Sequence, residues 1–283
     1  MQYRDYGNTG EKLSILGFGG IVVTDTEESE AANIVSEAVD KGITYFDVAP
    51  SYGNAEEKLG PALRPHRDGV FLACKTAERT KDKAAAQMRR SLELLKTDHF
   101  DLYQLHGLTS VEEVQMCFGP GGAMEAVVEA QQAGLIRYIG FSAHDEAAAI
   151  LCLETFPFNS VLFPTNYITW NESDFGPSVL KVAEAKGAAR LALKAMARRP
   201  WPEDSHREYP KCWYEPFDNL KEASEALRWT LSMPITAALP PGDARLLRLA
   251  LQIVESFTPL TEAERLEIEA GSSQHQPIFT KAA

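Results

Sequence analysis

Short apolar runs alternate with amphipathic, helix-length stretches along almost the whole chain. This alternation predicts repeated strand–helix units around a parallel sheet. The predicted strands cover residues 14–20, 43–48, 70–75, 100–106, 136–142, 160–165, 189–194 and 234–239. Clear helical patterns lie at 28–42, 83–96 and 123–134, with a last pair at 244–257 and 261–271. The pattern therefore predicts an α/β protein with eight main strands.

The number of these units favours a closed barrel. Eight strand–helix units in 283 residues, with no Ser/Gly-rich linker between the halves, match a single (β/α)8 TIM barrel. A doubly wound fold would normally carry the fingerprint G-x-G-x-x-G after its first strand, and LGFGGIVVTD at 16–25 lacks it. We therefore predict one barrel domain over residues 1–283.

Two segments outside the repeats have predicted structures of their own. Residues 2–6 and 12–13 flank the turn sequence GNTG and predict an N-terminal β-hairpin. The connection between strands seven and eight, 195–217, contains a long stretch without clear periodicity, which in a compact domain is usually functional or mobile. We interpret this long loop as a lid, in which Trp201, Trp213 and Tyr214 either close over an apolar substrate or anchor the loop.

Composition and charge argue against several classes of partner. The net charge of −12 opposes a general nucleic-acid or anionic-membrane surface, because phosphates would be repelled. The chain starts on mostly polar residues and has no apolar run of membrane-spanning length, so we expect a cytoplasmic protein. Four scattered cysteines form no Cys-x-x-Cys pattern, so we expect reduced thiols and no metal site. Nothing in the sequence specifies an oligomeric state.

Polar residues interrupt the ends of three consecutive strands. Asp47 ends strand two, Lys75 ends strand three and His106 ends strand four. Tyr52 lies in the loop just beyond Asp47. Each residue alone would commonly be a packing, capping or surface group. Barrel enzymes, however, place their reacting groups at the C-terminal ends of neighbouring strands, so the four together predict a functional site at the barrel mouth.

Proton transfer to a carbonyl oxygen is chemistry that uses these four side chains together. A free tyrosine has a pKa of about 10, and a nearby ammonium group stabilises its phenolate and lowers that value. We expect Lys75 to lower the pKa of Tyr52 in this way, with Asp47 orienting Lys75. A neutral His106 would donate a hydrogen bond to the carbonyl oxygen as negative charge develops there. None of these groups supplies electrons, so a reduction requires a cofactor.

The motifs around these residues resemble those of the aldo-keto reductases, which are NAD(P)-dependent (β/α)8 barrels. The resemblance covers nearly the whole chain and rests on LGFGG at 16–20, FDVAPSYGNAEEKLG at 46–60, CK at 74–75, DLYQLH at 101–106 and GFS at 140–142. It implies the catalytic residues Asp47, Tyr52, Lys75 and His106. By resemblance, Tyr52 is the general acid in the NAD(P)H-dependent reduction of a small aldehyde or ketone to an alcohol.

The resemblance also implies a cofactor site. Its residues in this sequence are Gly20, Ile21, Asp47, Ser142, Asn166, Leu193, Lys194, Met196, Pro241, Gly242 and Arg245. The habits of the family favour NADP(H), and NAD(H) is the alternative. Asp243 would disfavour the 2′-phosphate of NADP(H) unless Arg245 or Arg248 offsets its charge.

Several positions of this site depart from the family pattern. Ala143 follows Ser142 where an asparagine is frequent, and Leu162 replaces a glutamine, which leaves Asn166 as the nearest amide. No tyrosine ends strand seven to stack on the nicotinamide. Lys194 in that strand would pair either with the cofactor pyrophosphate or with a neighbouring carboxylate.

Two other functions stay open at this point. One is a nicotinamide-binding regulatory subunit with little turnover, since some barrels of this family act mainly through a partner protein. The other is a barrel hydrolase or lyase that uses Lys75 as a Schiff-base amine. Cys74 is expected to point away from Lys75 and to pack in the core. His144 either contacts substrate or lies at a helix start or on the surface.

Overall fold

The chain begins with an antiparallel hairpin, as predicted. In the computed structural model, which describes residues 1–281, Tyr3–Asp5 (β1) pairs with Lys12–Ser14 (β2). Gly7 in the connecting turn has a φ angle of 54°, which glycine adopts without a steric penalty. The buried Tyr6 donates a hydrogen bond to Ser160 Oγ at 2.8 Å, at the start of a barrel strand. The hairpin therefore covers the end of the barrel at which the strands begin.

Eight parallel strands form the barrel in the order in which they occur along the chain. They are Phe18–Gly19 (β3), Tyr45–Asp47 (β4), Phe71–Thr76 (β5), Phe100–Leu108 (β6), Ile136–Ala143 (β7), Ser160–Pro164 (β8), Ala189–Leu193 (β9) and Ala237–Ala238 (β12). Leu16 forms a parallel bridge with Ala238, and the Gly17 N–H donates to the Ala238 carbonyl at 2.9 Å. This bridge joins the first and last strands, so the predicted (β/α)8 barrel is confirmed.

The first and last barrel strands are shorter than the sequence predicts. Only two residues of each predicted run, 14–20 and 234–239, belong to the main sheet. At the first strand, Ser14 pairs within the hairpin, and a 3₁₀ helix begins at Gly20. After the last strand, Pro240 and Pro241 lack the N–H groups that would extend the ladder.

Helices cover the outside of the barrel. They are Glu28–Asp40 (α1), Ala55–Leu63 (α2), Lys81–Leu95 (α3), Val111–Phe118 (α4), Ala123–Gln132 (α5), Glu146–Thr155 (α6), Tyr167–Ser173 (α7), Pro177–Ala185 (α8), Leu220–Ser232 (α9), Ala244–Glu255 (α10) and Glu262–Ala270 (α11). The helices predicted from the sequence are all present. Within residues 1–281, none of the helices is long and apolar enough to cross a membrane.

Side chains of the barrel strands alternate between two apolar layers. Ala73 belongs to an inner cluster with Tyr45 and Leu102, whereas Cys74 belongs to the outer cluster between strands and helices. Cys74 Sγ lies 3.5 Å from Glu56 Oε1 of α2, and burial raises the pKa of this thiol well above its ordinary value. Cys74 is a packing residue that points away from the barrel interior, as strand alternation predicts.

The connection between the seventh and eighth barrel strands is more ordered than its sequence indicates. Ala197–Pro200 (β10) and Tyr214–Pro216 (β11) form an antiparallel ribbon. Between them, Tyr209 packs on Leu246 of α10, and Lys211 Nζ donates to the Val22 carbonyl at 3.0 Å. The segment is therefore tied to α10 and to the chain that follows β3. Its motion as a lid stays a prediction.

Candidate active site

A cavity of about 270 Å³ opens at the C-terminal ends of the barrel strands. The four predicted catalytic residues, Asp47, Tyr52, Lys75 and His106, all line it. The predicted cofactor residues that line it are Ile21, Asp47, Ser142, Leu193, Lys194, Pro241 and Gly242. Further lining residues that sequence reasoning did not assign to the site include Ser51, Lys211 and Cys212. The convergence predicted from the strand ends is present in the structure.

A buried ion pair forms the floor of the site. Lys75 Nζ donates to Asp47, and both side chains are 1% exposed. Asp47 Oδ2 also accepts hydrogen bonds from Tyr45 Oη and Gln104 Nε2, each at 2.9 Å. Burial by itself would lower the pKa of Lys75, but Asp47 and then Tyr52 raise it above its ordinary value. Lys75 is therefore an ammonium ion at neutral pH, which argues against its use as a Schiff-base amine.

The loop after β4 presents Tyr52 to this pair. Gly53 permits the turn with a φ angle of 58°, and Thr24 Oγ1 holds the loop by donating to the Tyr52 carbonyl at 3.0 Å. Lys75 Nζ lies 5.2 Å from the centroid of the Tyr52 ring. The side chain of Tyr52 is thus fixed beside the ammonium group, as predicted.

The expected direction of the Tyr52 pKa shift is wrong for this structure. Burial raises the pKa of Tyr52 and outweighs Lys75, which lowers it, while Asp47 adds a further increase. The sequence located the lysine correctly but could not weigh its charge against the loss of water around the phenol. Tyr52 is accordingly protonated at neutral pH and able to donate its proton.

His106 lies in β6 and faces Tyr52, which follows β4. Its ring lies edge-on to the Tyr52 ring, with centroids 5.8 Å apart and an interplanar angle of 87°. The ladder between β6 and β7 is irregular between Leu105 and Leu108, which sets the position of this histidine. Burial, followed by the charge of Lys75, lowers the pKa of His106 to about 3. The imidazole is neutral at physiological pH, as the predicted role requires.

Ser142 lies beside His106 at the end of β7. Its Oγ accepts a hydrogen bond from the Gly107 N–H at 2.8 Å, so the hydroxyl hydrogen is available to donate to a ligand. At another part of the wall, Gly242 lies against Ile21, and a Cβ on this glycine would come within 2.4 Å of Ile21 Cγ2. The absence of a side chain at Gly242 therefore allows Ile21 to pack closely against the backbone at this point, just before α10 begins.

Four predicted cofactor residues do not line the cavity. Asn166 instead caps α7, where its Oδ1 accepts from the N–H groups of Ile168 and Thr169 at 3.1 and 2.9 Å. Met196 is fully buried, and Gly20 packs against Val48. The fourth, Arg245, is engaged in ion pairs outside the cavity. The resemblance to the family implied that these residues contact the cofactor; in the structure they lie outside the cavity lining, and their part in cofactor binding stays a prediction.

The two arginines proposed to offset Asp243 are paired with carboxylates. Arg245 contacts both Asp243, at 3.0 Å, and Glu208. Its guanidinium also lies 4.5 Å from the centroid of the Tyr209 ring. Arg248 forms a two-nitrogen ion pair with Glu37 of α1. Arg245 therefore offsets Asp243, as the sequence allowed, but it shares its single positive charge with Glu208.

Lys194 has aromatic neighbours in place of the ion pair that the sequence allowed. Its φ angle of 67° turns the chain at the end of β9. The Nζ atom lies 5.1 Å from the Trp213 ring centroid and 5.2 Å from that of Tyr214. Burial lowers the pKa of Lys194 to about 8, and no carboxylate within the described residues counteracts this shift.

The aromatic residues of the connection divide between the two roles that the sequence left open. Trp213 and Tyr214 line the cavity, with Trp213 49% exposed. Trp201 instead donates from Nε1 to the Cys212 carbonyl at 2.7 Å and packs beside Tyr209. Trp201 thus anchors the connection, whereas the other two form the wall of the site.

The chain belongs to the aldo-keto reductase family, whose members are NAD(P)-dependent oxidoreductases. The sequence model of the Aldo/keto reductase family matches residues 15–253. Aldo-keto reductase YhdN of Bacillus subtilis is 30% identical over 70% of this chain and 63% of its own length. The uncharacterized oxidoreductase YqkF of the same organism is 34% identical over 50% of this chain. This chain spans only 49% of the length of YqkF.

The fold agrees with this assignment. The structure superimposes on that of aldo-keto reductase AKR11C1 from Bacillus halodurans, in its holo form, with a TM-score of 0.76. The sequences are 25% identical, and the match covers 95% of this chain and 96% of the other. Family membership and barrel architecture are therefore supported over nearly the full length of the chain.

Proposed function

We propose that this protein reduces the carbonyl group of an aldehyde or ketone to an alcohol with NAD(P)H, and that Tyr52 is the proton donor. The observation that carries the proposal is the convergence of three elements in one cavity. These are a protonated tyrosine, a buried Asp47–Lys75 ion pair and a neutral His106. This combination can donate a proton to a carbonyl oxygen and stabilise the charge that develops on it.

Features of the cavity wall support the binding of a nicotinamide dinucleotide. Ser142 can donate a hydrogen bond to an amide carbonyl, and Ile21 and Gly242 pack together in the wall of the same cavity. Lys211 lines the same region, and α10 begins just beyond Gly242. A helix N-terminus and a lysine together favour the negative charge of a diphosphate. These residues fit the cofactor that the family uses.

The residues of the chain then divide the catalytic work. When bound, the reduced nicotinamide supplies a hydride to the carbonyl carbon. His106 donates a hydrogen bond to the carbonyl oxygen and holds it near Tyr52. Tyr52 transfers its phenolic proton to that oxygen. Lys75 stabilises the phenolate that remains, while Asp47 keeps Lys75 charged and in place.

The charges near the start of α10 favour NADH over NADPH in this proposal. Asp243 and Glu208 share one guanidinium, that of Arg245, so Arg245 has no uncompensated charge to offer a 2′-phosphate placed there. Arg248 is held by Glu37. The family's habits alone favoured NADP(H), but both candidate cations are engaged by carboxylates in this chain.

Steady-state oxidation of NADH and NADPH with a panel of aromatic and aliphatic aldehydes and ketones tests the proposed function. We expect turnover with at least part of the panel and a higher kcat/KM for NADH than for NADPH. Tight cofactor binding without turnover on any carbonyl compound would contradict the enzymatic role and favour a regulatory subunit. Fluorescence titration of the folded protein with each cofactor separates that case from a failure to bind.

A further inference from the structure

The cavity wall carries positive charge in a chain that is otherwise acidic. Among residues 1–281, Asp47 is the only carboxylate that lines it, and Asp47 is bound to Lys75. Lys194 and Lys211 also line the cavity, whereas the whole chain has a net charge of −12. Neither Lys194 nor Lys211 forms an ion pair within the part of the chain that the structure describes, and two such lysines at one cavity indicate a site for anionic ligand groups.

The two lysines lie in different surroundings. Lys211 donates to the Val22 carbonyl, and the charge of Lys211 acts on Asp243 at the start of α10. Lys194 instead acts on the two cavity histidines, since its charge helps to lower the pKa values of His106 and His144. Lys211 therefore belongs to the diphosphate region proposed above, and Lys194 belongs to the end where the carbonyl group reacts.

His144 supplies a second polar group in the lining of the same cavity. Its ring stacks on Phe279, with centroids 5.4 Å apart, and Phe279 lies edge-on to Trp213 at 5.7 Å. Trp213 in turn covers the Lys194 ammonium group. The Nε2 atom of His144 is buried and has no hydrogen-bond partner among residues 1–281. A ligand that supplies the missing hydrogen-bond partner of such a buried nitrogen is bound more tightly.

We infer that Lys194 and His144 form a subsite for a carboxylate group of the substrate. The inference rests on the proposed carbonyl reduction, and it narrows the substrates to carbonyl compounds that also carry a carboxylate, such as oxo acids and carboxylated aldehydes. Lys194 provides the charge, and His144, in the tautomer protonated on Nε2, provides a directed hydrogen bond. The rings of Trp213 and Tyr214 lie within 5.2 Å of the ammonium group and shield part of it from water, which strengthens its attraction for an anion.

A matched pair of aldehydes tests the subsite. 4-Carboxybenzaldehyde carries a carboxylate, and methyl 4-formylbenzoate has the same ring and aldehyde without the charge. We expect the wild type to prefer the acid in kcat/KM. The variant Lys194→Met should lower the ratio of acid to ester by about 10- to 100-fold, since a charged hydrogen bond is lost. Lys194→Arg should retain most of the preference because the charge remains.

Controls separate the subsite from other roles of Lys194. Lys186→Met, at an exposed lysine at the end of α8, should leave the acid-to-ester ratio unchanged. Fluorescence titration with NADH should give a similar Kd for the wild type and Lys194→Met, whereas Lys211→Met should weaken binding. A large loss of NADH affinity in Lys194→Met, with equal losses on the acid and the ester, would assign Lys194 to the cofactor diphosphate and overturn the inference.

The subsite can also be decided if the proposed function fails. If the wild type reduces neither aldehyde, calorimetric titration with benzoate and with benzamide measures the subsite without turnover. Binding of benzoate that is stronger than that of benzamide, and that is lost in Lys194→Met, supports the carboxylate site. Equal binding of the two probes, or benzoate binding that Lys194→Met leaves intact, refutes it.

Discussion

Two lysines line the cavity at the ends of barrel strands, and their surroundings shift their pKa values in opposite directions. At β5, Lys75 is paired with Asp47, and its pKa lies above the ordinary value. At β9, Lys194 lies beside two aromatic rings, and its pKa falls to about 8. Burial acts in the same direction on both, so the carboxylate makes the difference. The charge of Lys75 is balanced by Asp47 within the proposed catalytic site, whereas the charge of Lys194 is available to a ligand.

The largest effect is expected when the proton donor beside Lys75 is removed. Tyr52→Phe should lower kcat by about 10²- to 10⁴-fold, the usual range for loss of a general acid, while the Kd for NADH changes little. Steady-state kinetics and fluorescence titration measure the two quantities. Tyr3→Phe, on the exposed edge of the hairpin, is the matched control. Full reductase activity in Tyr52→Phe would show that the proton comes from another group.

Stability measurements sharpen the contrast between the two lysines. Lys75→Met leaves the Asp47 carboxylate buried and without its cation, so we expect a loss of about 3–5 kcal/mol in the free energy of unfolding. The double variant Asp47→Asn/Lys75→Met should cost less than the sum of the single changes, because the pair is removed together. Lys194→Met should stay within about 1 kcal/mol of the wild type. Urea unfolding that gave equal losses for both lysines would contradict the comparison.

The pH dependence of selectivity follows from the lowered pKa of Lys194. Below about pH 8 the ammonium group is charged, and above it the free protein loses this charge. The acid-to-ester ratio of kcat/KM should therefore be high near neutral pH and should fall about tenfold as the pH rises through 8. The ratio cancels effects that are common to both substrates, such as the state of Tyr52.

Lys194→Arg is the control for this pH profile. Arginine stays charged throughout the range, so the acid-to-ester ratio of kcat/KM for this variant should not change with pH. If the acid-to-ester ratio of the wild type were independent of pH, the ammonium group of Lys194 would not interact with the substrate carboxylate.

The smallest expected effect concerns the far end of the cavity. Glu208→Gln removes one carboxylate from the Arg245 cluster and should improve the Kd for NADPH relative to NADH by about two- to fivefold, since the pair is exposed to solvent. Glu203→Gln, an exposed residue of the same connection, is the matched control. No change in the ratio for Glu208→Gln, measured at low salt, would place the 2′-phosphate elsewhere.

The sequence by itself determined the barrel and the residues of the predicted catalytic site. Regular alternation of strand and helix patterns predicts eight units, and the polar residues Asp47, Lys75 and His106 mark three strand ends. These features are local: the period of the apolar residues sets each element, and chain order sets which strands are neighbours. The predicted catalytic residues could therefore be grouped from the sequence without knowledge of any distant contact.

Only the tertiary structure decided the features that depend on distant neighbours. The arginine at 245 meets Glu208 from another segment, and the Oδ1 atom of Asn166 caps α7. The short strands β10 and β11 are separated by the irregular segment 201–213 and carry no periodic signal. The direction of the Tyr52 pKa shift and the aromatic surroundings of Lys194 depend on how much water packing excludes, which is a property of the folded chain as a whole.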